Sequence, residues 1–131
     1  MTTDELVVPL GLHSRHLWLM LRVTVPDRED LRLVVDSGSV GSTVKEAVLE
    51  DLVARGRATF AGGRRFALQD VRVGGVLIPD IPVRAGGSAE GIDPDGIVGL
   101  EYWWQFDRVC VQTQPLQLHL TRPAAAPRLG L

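Results

Sequence analysis

Cysteine and lysine are almost absent from this sequence. Cys110 is the only cysteine among the 131 residues, so the chain cannot form an internal disulfide. This usage fits a reducing compartment and predicts a cytoplasmic location. Cys110 lies in the strand-like segment RVCVQ with no histidine beside it in sequence. We therefore expect a buried, inert thiol rather than a nucleophile.

Long apolar runs and clusters of one charge are also missing. The apolar segment LWLMLRVTV, residues 17–25, is far too short to span a bilayer. Residues 1–16 lack the basic segment and unbroken apolar stretch of a signal peptide. The formal net charge is −2, and the arginines are scattered along the chain. We therefore expect neither a nucleic acid nor a membrane as a partner.

Metal ligands are scarce as well. His13 and His16 form an H-x-x-H pattern, but His119 is the only other histidine and no cysteine lies near either residue of the pattern in sequence. A structural or catalytic zinc needs a fuller set of ligands. The glycine pairs do not open a helix after a strand, as a phosphate-binding loop would. The sequence therefore predicts no metal and no cofactor.

The residues that are present are typical of one mostly β domain. Apolar residues make up 45% of the chain and charged residues 23%, which is ordinary for a globular protein. Residues 17–25 and 31–35 predict two strands joined by the turn VPDRED, and residues 58–68 predict a hairpin. Glycine pairs separate the later strands at a spacing of about twelve residues, as in a meander; they lie at 62–63, 74–75 and 86–87.

One helix stands out from this β pattern. Ser42 or Thr43 can cap the segment TVKEAVLEDLVARG, and Gly56 can end it. Four apolar side chains recur at helical spacing and predict its buried face. They are Val44, Val48, Leu52 and Val53.

An acidic residue ends the second predicted strand. The segment LRLVVDSGSVGSTV, residues 31–44, runs from aliphatic positions directly into Asp36. A carboxylate at the mouth of a buried run costs free energy unless the site stabilises it or a reaction uses it. On these residues alone two interpretations stay open: a turn acid that bonds its own loop, or a functional carboxylate.

A second element, DGIVGLEYWWQFD at residues 95–107, makes the pattern more specific. Together with Asp36-Ser37-Gly38 it resembles the retropepsin-like aspartic proteases, in which an apolar strand ends in Asp-Thr/Ser-Gly. In that family a hydrophobic-hydrophobic-Gly element and a short helix follow later in the chain. The resemblance covers residues 17–122, with residues 1–16 as an N-terminal arm and 123–131 as a flexible tail. It implies an all-β, half-barrel domain with one or two short helices.

The resemblance also implies an activity and an assembly. Aspartic proteases use two carboxylates about 3 Å apart that share a proton, one acting as base on a water and the other as acid. This chain has one Asp-Ser-Gly, so the resemblance implies a homodimer with Asp36 from each subunit as the dyad. The substrate would be a peptide or an unfolded protein.

Neighbouring residues take roles by the same resemblance. Ser37 would hydrogen-bond to the partner's loop, and Gly38 would allow the two backbones to approach closely. The later element would fix the loop's orientation from behind; its residues are Ile97, Val98 and Gly99. A hairpin flap would close over the substrate; its expected residues are Ala61, Gly62, Gly63 and Arg64.

Three hypotheses therefore compete. The first is a homodimeric cytoplasmic aspartic endopeptidase. The second is a retropepsin-like module that dimerises or binds peptides with little or no turnover, which the short flap segment suggests. The third is an unrelated small β-barrel, with a coincidental Asp-Ser-Gly, that stays monomeric.

Overall fold

The computed structural model describes residues 3–13, 15, 18–36, 38–74, 76–78, 81–92, 94–104 and 106–123. Strands dominate these residues, which confirms the mostly β class. In chain order the strands are β1 (Thr3–Pro9), β2 (Gly11–Leu12), β3 (Leu19–Val23), β4 (Leu31–Val35), β5 (Thr43–Val44), β6 (Ala58–Gly62), β7 (Arg65–Leu68), β8 (Val71–Val73), β9 (Val76–Ile78), β10 (Ile81–Ala85), β11 (Gly96–Val98), β12 (Arg108–Thr113) and β13 (Leu116–Pro123). The helices are α1 (Glu46–Ala54), α2 (Leu100–Trp103) and a 3₁₀ helix at Gly87–Gly91.

The strands form one large sheet and two small ones. The large sheet has the order β2-β3-β4-β11-β5-β10-β7-β6, the second has the order β1-β13-β12, and β8 pairs with β9. The two strands predicted before Asp36 are confirmed as the antiparallel pair β3 and β4. The hairpin predicted at residues 58–68 is confirmed as β6 and β7.

The N-terminal segment is part of this β structure. Residues 3–9, which the sequence suggests as an arm, form β1 and pair antiparallel with β13 along its whole length. The pairing runs from Thr3 opposite Pro123 to Pro9 opposite Gln117. Residues 124–131, most of the suggested tail, lie outside the described residues.

The centre of the large sheet joins segments that are distant in sequence. Strand β11 lies between β4, to which it is parallel, and β5, to which it is antiparallel. Val34 and Val35 on β4 therefore lie opposite Ile97 and Val98 on β11. This arrangement brings the residue after β4 next to the residue after β11.

The two faces of the large sheet differ in what covers them. Most of the buried apolar side chains form one cluster that packs α1 and the three-stranded sheet against one face. It includes Leu31, Leu33, Leu49, Leu52, Leu118 and Leu120. Burying each such side chain contributes about 1.5–3 kcal/mol. On the opposite face, Met20, Val34 and Ile97 form a smaller cluster with Trp18 and Ile92.

Helix α1 begins later than the sequence predicts. Thr43 and Val44 form β5, and neither Ser42 nor Thr43 caps the helix. The first helical N–H, that of Glu46, instead donates to Glu90 Oε2 at 2.7 Å. A carboxylate from a distant segment thus supplies the acceptor that helix N-termini need, so no local cap is required.

The buried face of α1 also differs in part from the predicted one. Leu49 and Leu52 are its fully buried side chains, whereas Val53 is 44% exposed. Gly56 follows the helix with φ +73°, a left-handed conformation that favours glycine, so the predicted stop is confirmed.

Cys110 is exposed, so the expectation of a buried thiol is wrong. It lies on β12, which is an edge strand of the three-stranded sheet. Its cross-strand neighbour is the half-buried His119, whereas the buried Leu118 and Leu120 face the other side of β13. The alternation along the strand therefore directs the thiol away from the core.

Candidate active site

Strand β4 delivers Asp36 to the face opposite the main core. Leu31 and Leu33 point into the core, and Val34 points to the other face. Because side chains two residues apart share a face, Asp36 lies on the same side as Val34. Its N–H donates to the carbonyl of Val98 at 3.0 Å, so the pairing of β4 with β11 continues into the Asp36 loop.

The loop after Asp36 turns tightly around its carboxylate. The carbonyl of Asp36 accepts the N–H of Ser39 at 3.2 Å, which closes a turn. Its Oδ1 accepts the N–H of Gly38 at 2.9 Å, the self-bonding that Asp favours in turns. The other carboxylate oxygen accepts no hydrogen bond from a described residue. Asp36 is half-buried, so one oxygen stays available to a water or a substrate.

Gly99 holds this loop in place through close backbone contacts. Its N–H donates to Ser42 Oγ at 3.0 Å, and the following N–H of Leu100 donates to the carbonyl of Ser39 at 2.8 Å. A Cβ on Gly99 would lie 2.4 Å from the carbonyl oxygen of Gly41 and 2.6 Å from that of Ser39. Only glycine therefore permits this approach of two backbones.

The two residues before Gly99 point to opposite faces. Val98 is 1% exposed and belongs to the main core, while its carbonyl holds the N–H of Asp36. Ile97 is 8% exposed and belongs to the small cluster on the face of Asp36, beside Val34. The strand thus contributes backbone to the loop and one apolar side chain to the surface next to the carboxylate.

The structure brings together most of the residues predicted for the loop. Asp36, Gly38, Val98 and Gly99 are linked by direct contacts around one turn. Ser37 lies outside the described residues. The roles of these residues in catalysis stay a prediction.

The four residues predicted for a flap lie apart from Asp36 at the tip of the β6–β7 hairpin. Gly62 and Gly63 have φ of +103° and +59°, respectively, as a tight turn requires. Arg64 holds the tip in place, since its guanidinium bonds Glu46 Oε1 at 2.9 Å and the carbonyl of Ala85 at 2.6 Å. The strand pairing ends at the same level, with Arg65 opposite Arg84. The N–H of Ala85 also donates to the carbonyl of Arg64, so the turn at Gly62 and Gly63 lies just beyond this pairing. The role of the hairpin as a flap stays a prediction.

Three residues of the site were missed by the sequence analysis. Ser39 bonds the carbonyl of Gly41 through its hydroxyl at 2.8 Å, and Ser42, 3% exposed, accepts the N–H of Gly99. Gly96 passes so close to β5 that a Cβ would lie 2.2 Å from the carbonyl oxygen of Thr43. The run of Ser and Gly after Asp36 was a signal for this loop. No local signal marked the Ser42 hydroxyl as the acceptor for the N–H of Gly99, 57 residues along the chain.

Asp36 is the acidic group that the described residues present at this loop. They contain no group of three or more His, Cys, Asp or Glu that could hold a metal ion. Within the same residues no helix is long and apolar enough to cross a membrane. What the site presents is one carboxylate with one free oxygen, which can accept a proton from water but has no acidic partner within its own loop.

Comparison with known proteins identifies the fold. No protein-family model and no curated protein matches the chain. Solved structures do match the chain. A retropepsin-like aspartic protease from Rickettsia conorii matches with a TM-score of 0.60, 16% identity and coverage of 95% of both chains. The retroviral protease-like domain of Ddi1 from Leishmania major matches with a TM-score of 0.50 and 17% identity, over 87% of this chain and 98% of that one.

These matches confirm that the chain has the retropepsin-like fold that the sequence resemblance implied. An unrelated small β-barrel with a coincidental Asp-Ser-Gly is therefore wrong as a description of the fold. At this level of identity the likeness concerns the fold alone.

Proposed function

We propose that this protein is an aspartic endopeptidase that works as a homodimer, with Asp36 of two subunits as its catalytic dyad. The observation that carries the proposal is the Asp36 carboxylate itself. It is half-buried at the end of β4, has one free oxygen, and lies in a loop that Gly99 clamps. The likeness in fold to a retropepsin-like aspartic protease supports the same conclusion.

The chemistry requires a second acid, and among the described residues no acidic side chain hydrogen-bonds to Asp36. Asp95, which directly precedes β11, has a structural role, because its carboxylate accepts the N–H of Arg32 at 2.8 Å and its carbonyl accepts the N–H of Lys45. A two-fold axis next to the loop brings in the same residue of a second copy. Two carboxyl groups at such a short distance share one proton, because both cannot ionise together.

In the proposed reaction the ionised Asp36 removes a proton from a water, and the water oxygen attacks the carbonyl carbon of the peptide. The protonated Asp36 of the other copy gives its proton to the carbonyl oxygen. The tetrahedral intermediate then collapses: the leaving nitrogen takes the proton from the first Asp36 as the C–N bond breaks, and one hydroxyl of the intermediate gives its proton to the second Asp36, which restores the single shared proton. No metal or cofactor takes part.

The remaining predicted residues have supporting roles in this proposal. Ser37 bonds across the two-fold axis to the partner's loop. The hairpin tip at residues 61–64 covers an extended substrate, which is a peptide or an unfolded protein. A cytoplasmic location is part of the same proposal, and fractionation of cells that produce the protein tests it.

Replacing the carboxylate tests the activity directly. Asp36→Asn keeps the shape of the side chain but cannot hold the shared proton, so cleavage of an unstructured peptide should fall by at least about a hundredfold. Asp107→Asn is the matched control, since Asp107 is exposed and its only described hydrogen bond runs from its backbone N–H to Thr121. Equal cleavage by wild type and Asp36→Asn from acidic to neutral pH would refute the proposal.

Mixing subunits tests the shared site. Suppose that each active site needs Asp36 from both subunits. When wild-type chains exchange with an equal amount of Asp36→Asn chains, about a quarter of all dimers then contain two wild-type subunits. Activity per total wild-type chain should then be about half that of wild type alone. Activity that stays proportional to the wild-type chains would show that each subunit works independently.

A second candidate function is a peptide-binding, dimerising module with little or no turnover. The observation that favours it is the short hairpin. Arg64 holds the tip of this hairpin to Glu46 and Ala85, so the tip is not free to close. It predicts that the protein binds an extended peptide without cleaving it. Cleavage that is blocked by a transition-state mimic of aspartic proteases would decide against this candidate.

A further inference from the structure

One row of side chains crosses the large sheet on the face that carries Asp36. The pairing registers place one residue from each of six adjacent strands directly side by side. From β3 to β7 they are Met20, Val34, Ile97, Thr43, Arg84 and Arg65. Asp36 follows Val34 by two residues and shares its face, so a peptide that reaches Asp36 lies over this face.

The chemistry of the row changes from one end to the other. The end next to Asp36 is apolar, since Met20, Val34 and Ile97 are buried together. The far end consists of Arg84 and Arg65, both exposed and directly opposite each other. Like charges in directly paired positions, with Cβ atoms about 4.5–5.5 Å apart, destabilise a sheet.

No acidic side chain of the described residues offsets this pair. Neither Arg84 nor Arg65 forms an ion pair or a side-chain hydrogen bond with a described residue. The neighbouring Arg64 differs, because it is paired with Glu46 at 2.9 Å. Two guanidinium groups that lie side by side without a paired carboxylate are well suited to bind a carboxylate of another molecule.

The strand spacing sets the distance to the carboxylate. At about 4.8 Å per strand, β10 lies about 14 Å and β7 about 19 Å from β4 across the sheet. An extended peptide covers this span in about four to six residues, at about 3.3 Å each. We propose that Arg65 and Arg84 bind an acidic side chain of the substrate, about four to six residues from the bond that Asp36 attacks. This inference rests on the proposed function, which brings a peptide to Asp36.

A second pair of arginines on the same face provides a control. Arg22 and Arg32 are also cross-strand neighbours, on β3 and β4. They line a groove together with three acidic residues, Glu29, Asp30 and Asp95. Removing this pair changes the net charge of the protein by the same amount as removing Arg65 and Arg84.

Peptide binding to the Asp36→Asn variant tests the inference without cleavage. The probes are two fluorescent peptides with an apolar centre that differ only in Glu or Gln at positions four to six residues from it. Each exposed charge pair corresponds to about 1.4- to fivefold in affinity, so two arginines should make the Glu peptide bind about three- to tenfold tighter at low salt. The preference should shrink in 0.5 M salt, where the Debye length falls to about 4 Å.

The double variants locate the effect. Arg65→Gln with Arg84→Gln, added to Asp36→Asn, should reduce the preference to less than about twofold, whereas Arg22→Gln with Arg32→Gln should keep it. Equal binding of the Glu and Gln peptides, no binding of either, or an equal loss in both double variants would overturn the inference. Because binding is measured in the Asp36→Asn background, an inactive wild type would refute the proposed reaction and leave this result standing.

Discussion

Gly99 is a position where the fold should tolerate one added methyl group poorly. Its φ of −104° and ψ of −173° are ordinary for any residue, so the backbone conformation does not require glycine. The constraint is the space around it. A Cβ would lie 2.4 Å from the carbonyl oxygen of Gly41, 2.6 Å from that of Ser39 and 2.9 Å from the carbonyl carbon of Gly41.

The expected cost of Gly99→Ala follows from these contacts. All three atoms belong to the backbone, so they cannot move aside as a flexible side chain would, and the Asp36 loop must shift. Overpacking of this kind costs about 1–3 kcal/mol. The shift also weakens two hydrogen bonds, Gly99 N–H to Ser42 Oγ and Leu100 N–H to Ser39 O, each with a net value of about 1 kcal/mol. We expect the free energy of unfolding to fall by about 3–5 kcal/mol, a large part of the 5–15 kcal/mol typical of a domain.

Urea unfolding followed by tryptophan fluorescence measures this change, since Trp103 is buried only four residues along the chain. Gly91→Ala is the matched control, because a Cβ there meets nothing within 4 Å and the residue does not have a left-handed φ. We expect it to change the free energy of unfolding by less than about 0.5 kcal/mol. A loss of less than about 1 kcal/mol in Gly99→Ala, at the same protein concentration, would show that the loop does not depend on this close approach.

Further predictions concern the supports of the site and of the core. Ser42→Ala leaves the buried N–H of the clamping glycine without an acceptor and should cost about 1–3 kcal/mol in urea unfolding, while Ser42→Thr, which keeps the hydroxyl, should cost less. Leu52→Ala empties a fully buried position and should cost about 2–5 kcal/mol, whereas Val53→Ala, 44% exposed on the same helix, should cost less than about 1 kcal/mol; similar losses in both would contradict the assigned helix face. Asp51→Asn weakens the ion pair at 3.0 Å between Asp51, 41% exposed, and the Arg28 side chain, 9% exposed, and should cost about 0.5–1 kcal/mol with a midpoint that depends on salt; no change would show that this pair is not stabilising.

Much of the fold could be predicted because its signals are local. Alternating and aliphatic runs predicted β3 and β4, and the glycine pair at 62–63 predicted the turn between β6 and β7. Gly56 predicted the end of α1. These signals act within a few residues, since backbone preference and side-chain periodicity depend on near neighbours.

The errors arose where a distant segment overruled a local preference. Ser42 has the chemistry of a helix cap, but its hydroxyl serves the N–H of Gly99. Glu90 takes over the helix N-terminus, so α1 needs no cap of its own. Cys110 lies in an apolar run typical of a buried strand, yet β12 is an edge, and its thiol faces away from the core.

By itself the sequence determined that an acid would follow a buried strand in an Asp-Ser-Gly turn, and that an Ile-Val-Gly element would occur later in the chain. Only the tertiary structure decided that these elements meet in parallel, that Gly99 clamps the Asp36 loop, and that Arg84 and Arg65 end one row across the sheet. The reason is physical. Strand register depends on which segments pair across the whole chain, and periodicity within one segment carries no information about its partner.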